Sequence, residues 1–199
     1  MHGQIRPNMD ASFEHRDEDL WVFGYGSLMW RPEFAHLERV RAKLIGAHRA
    51  LCVFSHVHRG TPERPGLVLG LDHGGACRGI AYRVAASERA ATIAYLRARE
   101  QVTMVYREVV RAVWLSGTPE RRVSALCYMV DRGHHQYAGR LSIEQQVHLI
   151  RQGHGRSGPN REYVLATVKA LEALGCFDRD LHLLAERLHG AHESHTATT

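Results

Sequence analysis

A short apolar stretch meets two glycines and a serine in the run Val22-Phe23-Gly24-Tyr25-Gly26-Ser27-Leu28-Met29-Trp30. Residues 21–25 are mostly aromatic or β-branched, which is typical of a short buried strand. Glycine lets the backbone approach a ligand closely, and consecutive N–H groups in a turn can form an anion-binding nest. The run therefore predicts a strand that ends in a tight turn, where a carboxylate or an oxyanion would fit.

Two other interpretations of this turn compete with the anion nest. A dinucleotide-binding loop needs a third small residue at position 29 and a helix directly behind it. Met29 stands there instead, Pro32 follows, and the lysine of a phosphate-cradling loop is also missing. The pattern therefore disfavours a nicotinamide or flavin site, whereas a purely structural strand-to-turn role stays open.

Hydrophobic patterning beyond the turn predicts further strands and helices. Strands are predicted over residues 40–54 (interrupted at Gly46), over 67–71 and 79–84 (separated by Asp72, Gly74 and Gly75), and over 104–115 and 123–130 as a hairpin. Helices are predicted from Ser87 to about Glu100, from Ser142 to about Gly153, from Asn160 onward and from Asp178 onward. This order lacks regular βαβ alternation and indicates an α+β domain with a mostly antiparallel or mixed sheet.

The length of 199 residues and the composition, 44% hydrophobic and 24% charged, are typical of one folded domain. We expect that domain to span residues 20–190, with mobile ends over 1–19 and 191–199. No apolar run approaches the roughly 20 residues of a membrane helix. The first 20 residues also lack the apolar centre of a secretion signal. These observations predict a cytoplasmic protein that does not bind membranes.

The net charge of +5 comes from 26 basic and 21 acidic residues, and only Lys43 and Lys169 among the basic ones are lysines. Arginine suits phosphate and carboxylate recognition. The arginines here are spread evenly, however, and no block of five or more basic residues occurs. This distribution favours a compositional origin and predicts no nucleic-acid partner.

The four cysteines are widely spaced and show no zinc-type pairing, so they are expected to be reduced and mostly buried. Histidines occur at positions 56 and 58 and again near the C-terminus, at positions 189, 192 and 195. Neither group has a carboxylate or cysteine at a spacing that would complete a coordination shell. No metal site is therefore predicted.

Glu100 would close a helix in the segment Arg97-Ala98-Arg99-Glu100-Gln101. A carboxylate is unfavourable there, because the C-terminal end of a helix carries negative partial charge. One explanation is an exposed ion pair with the neighbouring Arg97 or Arg99. The other is that Glu100 points into a pocket as a general base. The spacing alone does not choose between them.

A third segment, Ser157-Gly158-Pro159-Asn160-Arg161-Glu162-Tyr163, reads as a loop entering a helix N-terminus. It offers free N–H groups and a tyrosine hydroxyl, although a plain helix cap explains it equally well. No Ser-His-Asp or Cys-His arrangement stands out among fifteen histidines. The residues thus describe a pocket with backbone donors, one carboxylate and phenols, but no nucleophile.

Taken in order, the motifs of residues 21–174 resemble those of one known family, the ChaC-type γ-glutamylcyclotransferases that act on glutathione. The motifs are Phe23-Gly24-Tyr25-Gly26-Ser27-Leu28, His58-Arg59-Gly60-Thr61-Pro62 with Pro65-Gly66, Gly79-Ile80-Ala81-Tyr82-Arg83, Arg99-Glu100, and Ser157-Gly158 with Glu162-Tyr163. The first motif is shared with other cyclotransferases, and the ordered set is more specific. The resemblance implies a small mixed, mostly antiparallel β-barrel with surrounding helices and no cofactor.

The resemblance also implies site residues and partners. Glu100 matches the family's catalytic glutamate, and Tyr106 and Tyr163 fall near tyrosines that line the substrate pocket. The γ-glutamyl group would be held by Gly24, Tyr25, Gly26, Ser27, Leu28 and Met29. Glutathione would be the substrate of a lyase that acts as a monomer or weak homodimer.

The implied reaction suits a site without a nucleophile. The substrate's own α-amine attacks its γ-carbonyl and releases 5-oxoproline and Cys-Gly, while Glu100 takes up a proton and later delivers one. The glycine turn would bind either the α-carboxylate or the developing oxyanion. The alternatives are a cyclotransferase for other γ-glutamyl amines and a non-catalytic module that binds a γ-glutamyl or carboxylate ligand.

Overall fold

The structure is a computed structural model that describes residues 11–189. Its strands are β1 (Leu20–Gly24), β2 (Glu38–Ser55), β3 (Gly66–Val84), β4 (Tyr106–Leu115), β5 (Arg121–Val130), β6 (His154–Gly155) and β7 (Gly158–Pro159). Its α-helices are α1 (Ala11–Glu14), α2 (Arg89–Glu100), α3 (Ile143–Gln152), α4 (Asn160–Ala173) and α5 (Arg179–His189). Two 3₁₀ turns, Ser27–Met29 and Ala86–Glu88, precede Trp30 and α2 respectively.

Five strands close into a barrel in the order β1-β3-β2-β4-β5. β1 pairs antiparallel with β3 and parallel with β5, which makes the barrel mixed. The predicted hairpin is confirmed, because β4 and β5 pair antiparallel from Tyr106 opposite Val130 to Leu115 opposite Arg121. The α+β class and the mostly antiparallel mixed barrel are therefore confirmed.

The described chain forms two compact units. The first comprises residues 11–49 and 71–131, and so contains β1, α2, β4, β5 and the adjoining parts of β2 and β3. The second comprises residues 50–70 and 132–189 and contains α3, α4 and α5. The single domain over residues 20–190 stays a prediction. No helix within residues 11–189 is long and apolar enough to cross a membrane.

The first unit has a core in which α2 packs on the barrel. Ile93 and Leu96 supply the buried face of α2 and have no exposed surface. The cluster they join, called here the first-unit core, consists of Phe13, Leu20, Val22, Leu28, Val84, Ile93, Leu96, Leu126 and Tyr128. This arrangement places the end of α2 in the same unit as the turn that follows β1.

Two strand interruptions expected from the sequence are absent. Gly46 lies inside a continuous β2, and Gly74 and Gly75 lie inside a continuous β3, although all three have positive φ (+91°, +95° and +71°). Glycine tolerates this conformation, so the strands can bend there without ending. The prediction of separate strands over 67–71 and 79–84 was therefore wrong.

Helix caps follow the sequence in two of four cases. Ser142 and Gln145 form the predicted capping box of α3, and Asp178 accepts the N–H of Leu181 at the start of α5. Ser87 is not the cap of α2, because it lies in the preceding 3₁₀ turn and makes no cap bond. Asn160 is likewise not a cap, because it lies inside α4, after the N-cap residue Pro159.

Asn160 is the first residue of α4 and is fully buried. Its Oδ1 accepts the N–H of Leu67 (2.6 Å), and its Nδ2 donates to the carbonyl oxygen of Leu67 (2.8 Å). The side chain therefore completes the backbone bonding of β3 rather than that of its own helix, a role that no local signal reveals.

Part of the segment predicted as a mobile N-terminal end is packed. Phe13 in α1 is 7% exposed and belongs to the first-unit core. Arg89 Nε donates to the carbonyl oxygen of Phe13 (2.7 Å) and its guanidinium lies over the Phe13 ring. Phe13 thus helps to anchor residues 11–19, together with bonds from Arg97 to the Glu14 carboxylate and from Arg89 to the carbonyl oxygen of Glu18. The rest of the predicted ends, residues 1–10 and 191–199, lies outside the described residues.

Candidate active site

The turn after β1 folds back tightly on the strand end. The Met29 N–H donates to the carbonyl oxygen of Gly26 (2.9 Å), and the Arg31 N–H donates to that of Ser27 (2.8 Å). A Cβ atom at Gly24 would lie only 2.9 Å from the Cβ of Leu28. Glycine is therefore required at position 24 by close packing, which supports the predicted strand-to-turn transition.

Carbonyl oxygens of this turn are held by side chains from β2 and β3. Three donors take part: Arg49 Nε to Tyr25 (2.6 Å), Tyr82 OH to Leu28 (2.8 Å) and Arg39 Nη2 to Met29 (3.2 Å). The C=O and N–H groups of a planar trans peptide point in opposite directions. Because Arg49 fixes the Tyr25 carbonyl, the N–H of Gly26, in the same peptide, points away from Arg49. The direction of this backbone donor is therefore fixed.

The predicted substrate-binding residues contribute to this turn in different ways. Leu28 belongs to the first-unit core, and Met29 is 2% exposed. These apolar side chains anchor the turn, and the Met29 N–H is itself bonded to the carbonyl oxygen of Gly26. Ser27 is partly exposed, and its hydroxyl accepts a hydrogen bond from Arg99 Nη2 (3.0 Å).

Glu100 is the last residue of α2, as predicted, and its side chain is 17% exposed. Its Oε1 lies 3.4 Å from Arg99 Nε. Burial raises the pKa of Glu100 above its ordinary value, while the positive charge of Arg99 acts in the opposite direction. A carboxyl group with a raised pKa is suited to taking up and returning a proton near neutral pH.

The exposed ion pair considered as an alternative role for Glu100 does not involve Arg97. Arg97 donates two bonds to Glu108, from Nε to Oε2 (2.9 Å) and from Nη2 to Oε1 (2.8 Å), and a third to Glu14. The charge of Arg97 is thus paired with Glu108 and Glu14. Of the two arginines, Arg99 is the one that approaches Glu100, and the pair it forms is largely buried.

Glu108 is a second carboxylate that the sequence analysis missed. Its side chain has no exposed surface, and Tyr128 OH donates to its Oε2 (3.1 Å) in addition to the two bonds from Arg97. The available signal was a glutamate inside the apolar strand β4. Because Glu108 is fully engaged by hydrogen bonds, Glu100 is the carboxylate better suited to proton transfer.

The two predicted pocket tyrosines lie in different units. Tyr106 is the first residue of β4 and packs against the first-unit core, in the same unit as the turn and Glu100. Tyr163 lies in α4 of the second unit and is 8% exposed, and its hydroxyl accepts the N–H of Leu69 (3.2 Å). The roles of both tyrosines stay predictions.

In the second unit, the loop after β2 packs against the β6–β7 hairpin. His58 Nδ1 lies 3.0 Å from the Ser157 hydroxyl, and the Ser157 N–H donates to the carbonyl oxygen of His58 (2.9 Å). A Cβ atom at Gly153 would lie 2.5 Å from the carbonyl oxygen of Arg59. Close backbone packing therefore explains why these two motifs occur together. No group of metal-ligating side chains occurs within residues 11–189.

Comparisons with known proteins agree with this architecture. A family model described as ChaC-like protein matches residues 20–189. The glutathione-specific gamma-glutamylcyclotransferase 1 of Homo sapiens is 33% identical over 184 residues, covering 90% of this chain and 83% of the human protein. The glutathione-specific gamma-glutamylcyclotransferase of Escherichia coli (strain K12) is 33% identical over 165 residues, covering 82% and 70%.

A solved structure extends the comparison to three dimensions. The crystal structure of a yeast γ-glutamylcyclotransferase specific to glutathione matches with a TM-score of 0.80 at 22% identity. The match covers 89% of this chain and 99% of the yeast chain. At this identity the likeness shows the fold, and it agrees with the barrel and helices expected from the motifs.

Proposed function

The chain belongs to the ChaC-like protein family, and from that premise we propose that it is a glutathione-specific γ-glutamylcyclotransferase. The observation that carries the proposal is the position of Glu100. Its largely buried carboxylate has a raised pKa and connects through Arg99 to the glycine turn. These are the two parts that the reaction needs, a proton acceptor and a set of backbone donors.

In the proposed reaction, the α-amine of the γ-glutamyl group attacks the γ-carbonyl carbon of the same group. Glu100 first removes a proton from the ammonium, which frees the nitrogen lone pair. The new C–N bond closes a five-membered lactam. The bond to the cysteine nitrogen then breaks, and Glu100 returns the proton to that nitrogen. The ring nitrogen loses a second proton to water, and the released amine takes one up from water to become an ammonium, so the protons balance. The products are 5-oxoproline and Cys-Gly, and no nucleophile of the protein is consumed.

The turn at residues 24–29 would position the substrate for this attack. Its carbonyls are bound by Arg49, Tyr82 and Arg39, so its N–H groups have fixed directions without reorganisation during the reaction. Folding the flexible glutamyl chain into an attacking geometry is worth several kcal/mol in well-oriented systems. We assign the turn to binding of the γ-glutamyl group, with Tyr106 and Tyr163 as further contacts of the substrate.

We also propose that the protein acts in the cytoplasm as a monomer or weak homodimer. The four cysteines are free thiols, which fits a compartment where glutathione keeps thiols reduced. Glutathione itself would be the small-molecule partner.

Replacing Glu100 with glutamine tests the proposal. Glu100→Gln keeps the shape of the side chain and removes the base, so we expect kcat to fall about 10²- to 10⁴-fold. The measurement is 5-oxoproline released from glutathione, detected by mass spectrometry. Glu186→Gln, at an exposed position of α5, serves as the control and should match the wild type.

Three results would contradict the proposal in different ways. A Glu100→Gln variant with near wild-type turnover would refute the role of the base. A higher kcat/KM for γ-glutamyl-alanine than for glutathione would point to a cyclotransferase for other γ-glutamyl amines. Calorimetric binding of glutathione without product on long incubation would indicate a non-catalytic binding module.

A further inference from the structure

Arg99 contacts both parts of the proposed site. Its Nη2 donates to the Ser27 hydroxyl (3.0 Å), in the turn, and its Nη1 donates to the carbonyl oxygen of Arg31 (2.7 Å), two residues beyond the turn. Its Nε lies 3.4 Å from Glu100 Oε1. The side chain is 19% exposed, so the guanidinium is held largely away from water. One side chain therefore joins the glycine turn to the carboxylate.

A second layer fixes the guanidinium of Arg99. Its Nη1 donates to Tyr95 OH (2.7 Å), and that hydroxyl donates in turn to Glu33 Oε2 (3.0 Å). Glu33 also accepts a bond from Arg31 Nη2 (2.7 Å). Its backbone has φ +57°, which is uncommon for a residue other than glycine and costs conformational free energy. The surrounding bonds thus keep residues 31–33 in one conformation beside Arg99.

We propose that Arg99 is a positioning residue that holds the turn at Ser27–Met29 and the Glu100 carboxylate at a fixed separation, with Tyr95 and Glu33 supporting its guanidinium. The effect of Arg99 on turnover rests on the proposed function, whereas its effect on the turn does not. The planar guanidinium directs donors to several acceptors at once. A lysine ammonium at the same position would keep the charge but would not reach Ser27, Arg31 and Tyr95 together.

The charge of Arg99 also acts on Glu100. Burial raises the pKa of Glu100, and Arg99 is the group that lowers it. The pKa of Tyr128, on β5, is raised mainly by burial, and the charge of Glu100 adds to this effect. The neighbouring Glu108 and Arg97 neutralise each other in a two-bond pair. Removing the Arg99 charge should therefore raise the pKa of Glu100, and keeping it as lysine should not.

Two variants separate the positioning effect of the Arg99 guanidinium from the effect of its charge. In Arg99→Lys we expect kcat/KM for glutathione to fall about tenfold, mainly through KM, with the acid limb of the pH–rate profile unchanged. In Arg99→Gln we expect kcat/KM to fall about 10²-fold and the acid limb to move to higher pH. Arg121→Gln is the control, because Arg121 is an exposed arginine of β5 that pairs with Glu38.

Hydrogen exchange of the free protein gives a readout that does not depend on turnover. Amides of residues 24–31 should exchange faster in both Arg99 variants than in the wild type and in Arg121→Gln, while amides of β4 and β5 keep their protection. Unchanged exchange of the turn would overturn the proposal, and so would faster exchange throughout the unit. Wild-type kinetics of Arg99→Lys would also overturn it.

The two proposals fail in distinguishable ways. If the wild type releases no 5-oxoproline, the function is wrong, and exchange of residues 24–31 still decides whether Arg99 positions the turn. If the wild type is active and both Arg99 variants behave like it in kinetics and exchange, only the positioning role is wrong.

Discussion

At the scale of single residues, two carboxylates of the first unit have different environments. The Glu108 side chain has no exposed surface and accepts three hydrogen bonds, two from Arg97 and one from Tyr128. Glu100 is also largely buried, and its Oε1 lies 3.4 Å from Arg99 Nε. The Glu108 carboxylate is thus committed to its hydrogen-bond partners. Burial raises the pKa of the Glu100 carboxyl group, which favours proton uptake and suits a general base.

This difference predicts a stability effect of Glu100 as well as a catalytic one. Because the pKa of Glu100 is raised in the folded state, the folded protein binds a proton more readily than the unfolded chain. The free energy of unfolding therefore decreases as pH rises from the ordinary glutamate pKa through the raised one. A glutamine at position 100 does not ionise, so Glu100→Gln avoids this decrease in the free energy of unfolding. The variant should therefore be more stable than the wild type at pH 7.5.

Urea denaturation at several pH values measures the effect. The stabilisation of Glu100→Gln relative to the wild type should be larger at pH 7.5 than at pH 5, because part of the wild-type Glu100 is protonated at the lower pH. Glu186→Gln should show no such pH-dependent difference. A Glu100→Gln variant that is less stable than the wild type at pH 7.5 would show that the ionised carboxylate is stabilised in the fold.

At the scale of secondary-structure elements, local signals were sufficient where one element carries its own pattern. The β4–β5 hairpin and the capped helix α3 follow directly from alternation and from Ser142 with Gln145. Continuity of β3 through Gly74 and Gly75 depends on pairing with distant strands, which a local pattern does not encode. The same reason applies to Asn160, whose partner is Leu67.

In the candidate site, too, local signals were predicted and contacts between distant residues were not. The sequence predicted the turn and Glu100, because each has an unusual local composition. It did not predict Arg99 as the link between them, since the contacts of Arg99 with Ser27 and Arg31 cross about 70 residues of chain. Glu108 was missed because its partner Arg97 lies on another element, α2, although only 11 residues separate them.

The two serines that were predicted as caps provide an element-scale test. Ser142 accepts the N–H of Gln145 in a capping box, whereas Ser87 makes no cap bond. Ser142→Ala should therefore lower the free energy of unfolding by about 1 kcal/mol. Ser87→Ala should change it by less than about 0.5 kcal/mol, as exposed substitutions usually do. Urea denaturation compares the two variants, and equal losses would contradict the structural assignment.

At the scale of the whole molecule, the arginine-rich composition has a structural use. Arginines donate to backbone carbonyl oxygens in several places, including Arg89 to Phe13, Arg49 to Tyr25 and Arg99 to Arg31. An arginine can bond several acceptors while remaining charged, which a lysine does less well. Arginines spread evenly along the chain are thus compatible with a small-molecule enzyme whose loops are fixed by guanidinium groups.

The distribution of thiols gives a prediction for the whole chain. Cys52, Cys77 and Cys127 are buried, and Cys176 alone is partly exposed. Burial also raises the pKa of the Cys127 thiol, which suppresses the reactive thiolate. In the folded protein, Ellman's reagent should therefore react quickly with one thiol per chain and slowly with the other three, and with all four in denaturant.

Alkylating Cys176 alone should leave release of 5-oxoproline unchanged, because the proposed mechanism uses no thiol of the protein. Loss of turnover in step with that single modification, with the fold intact by circular dichroism, would show that a protein thiol takes part after all.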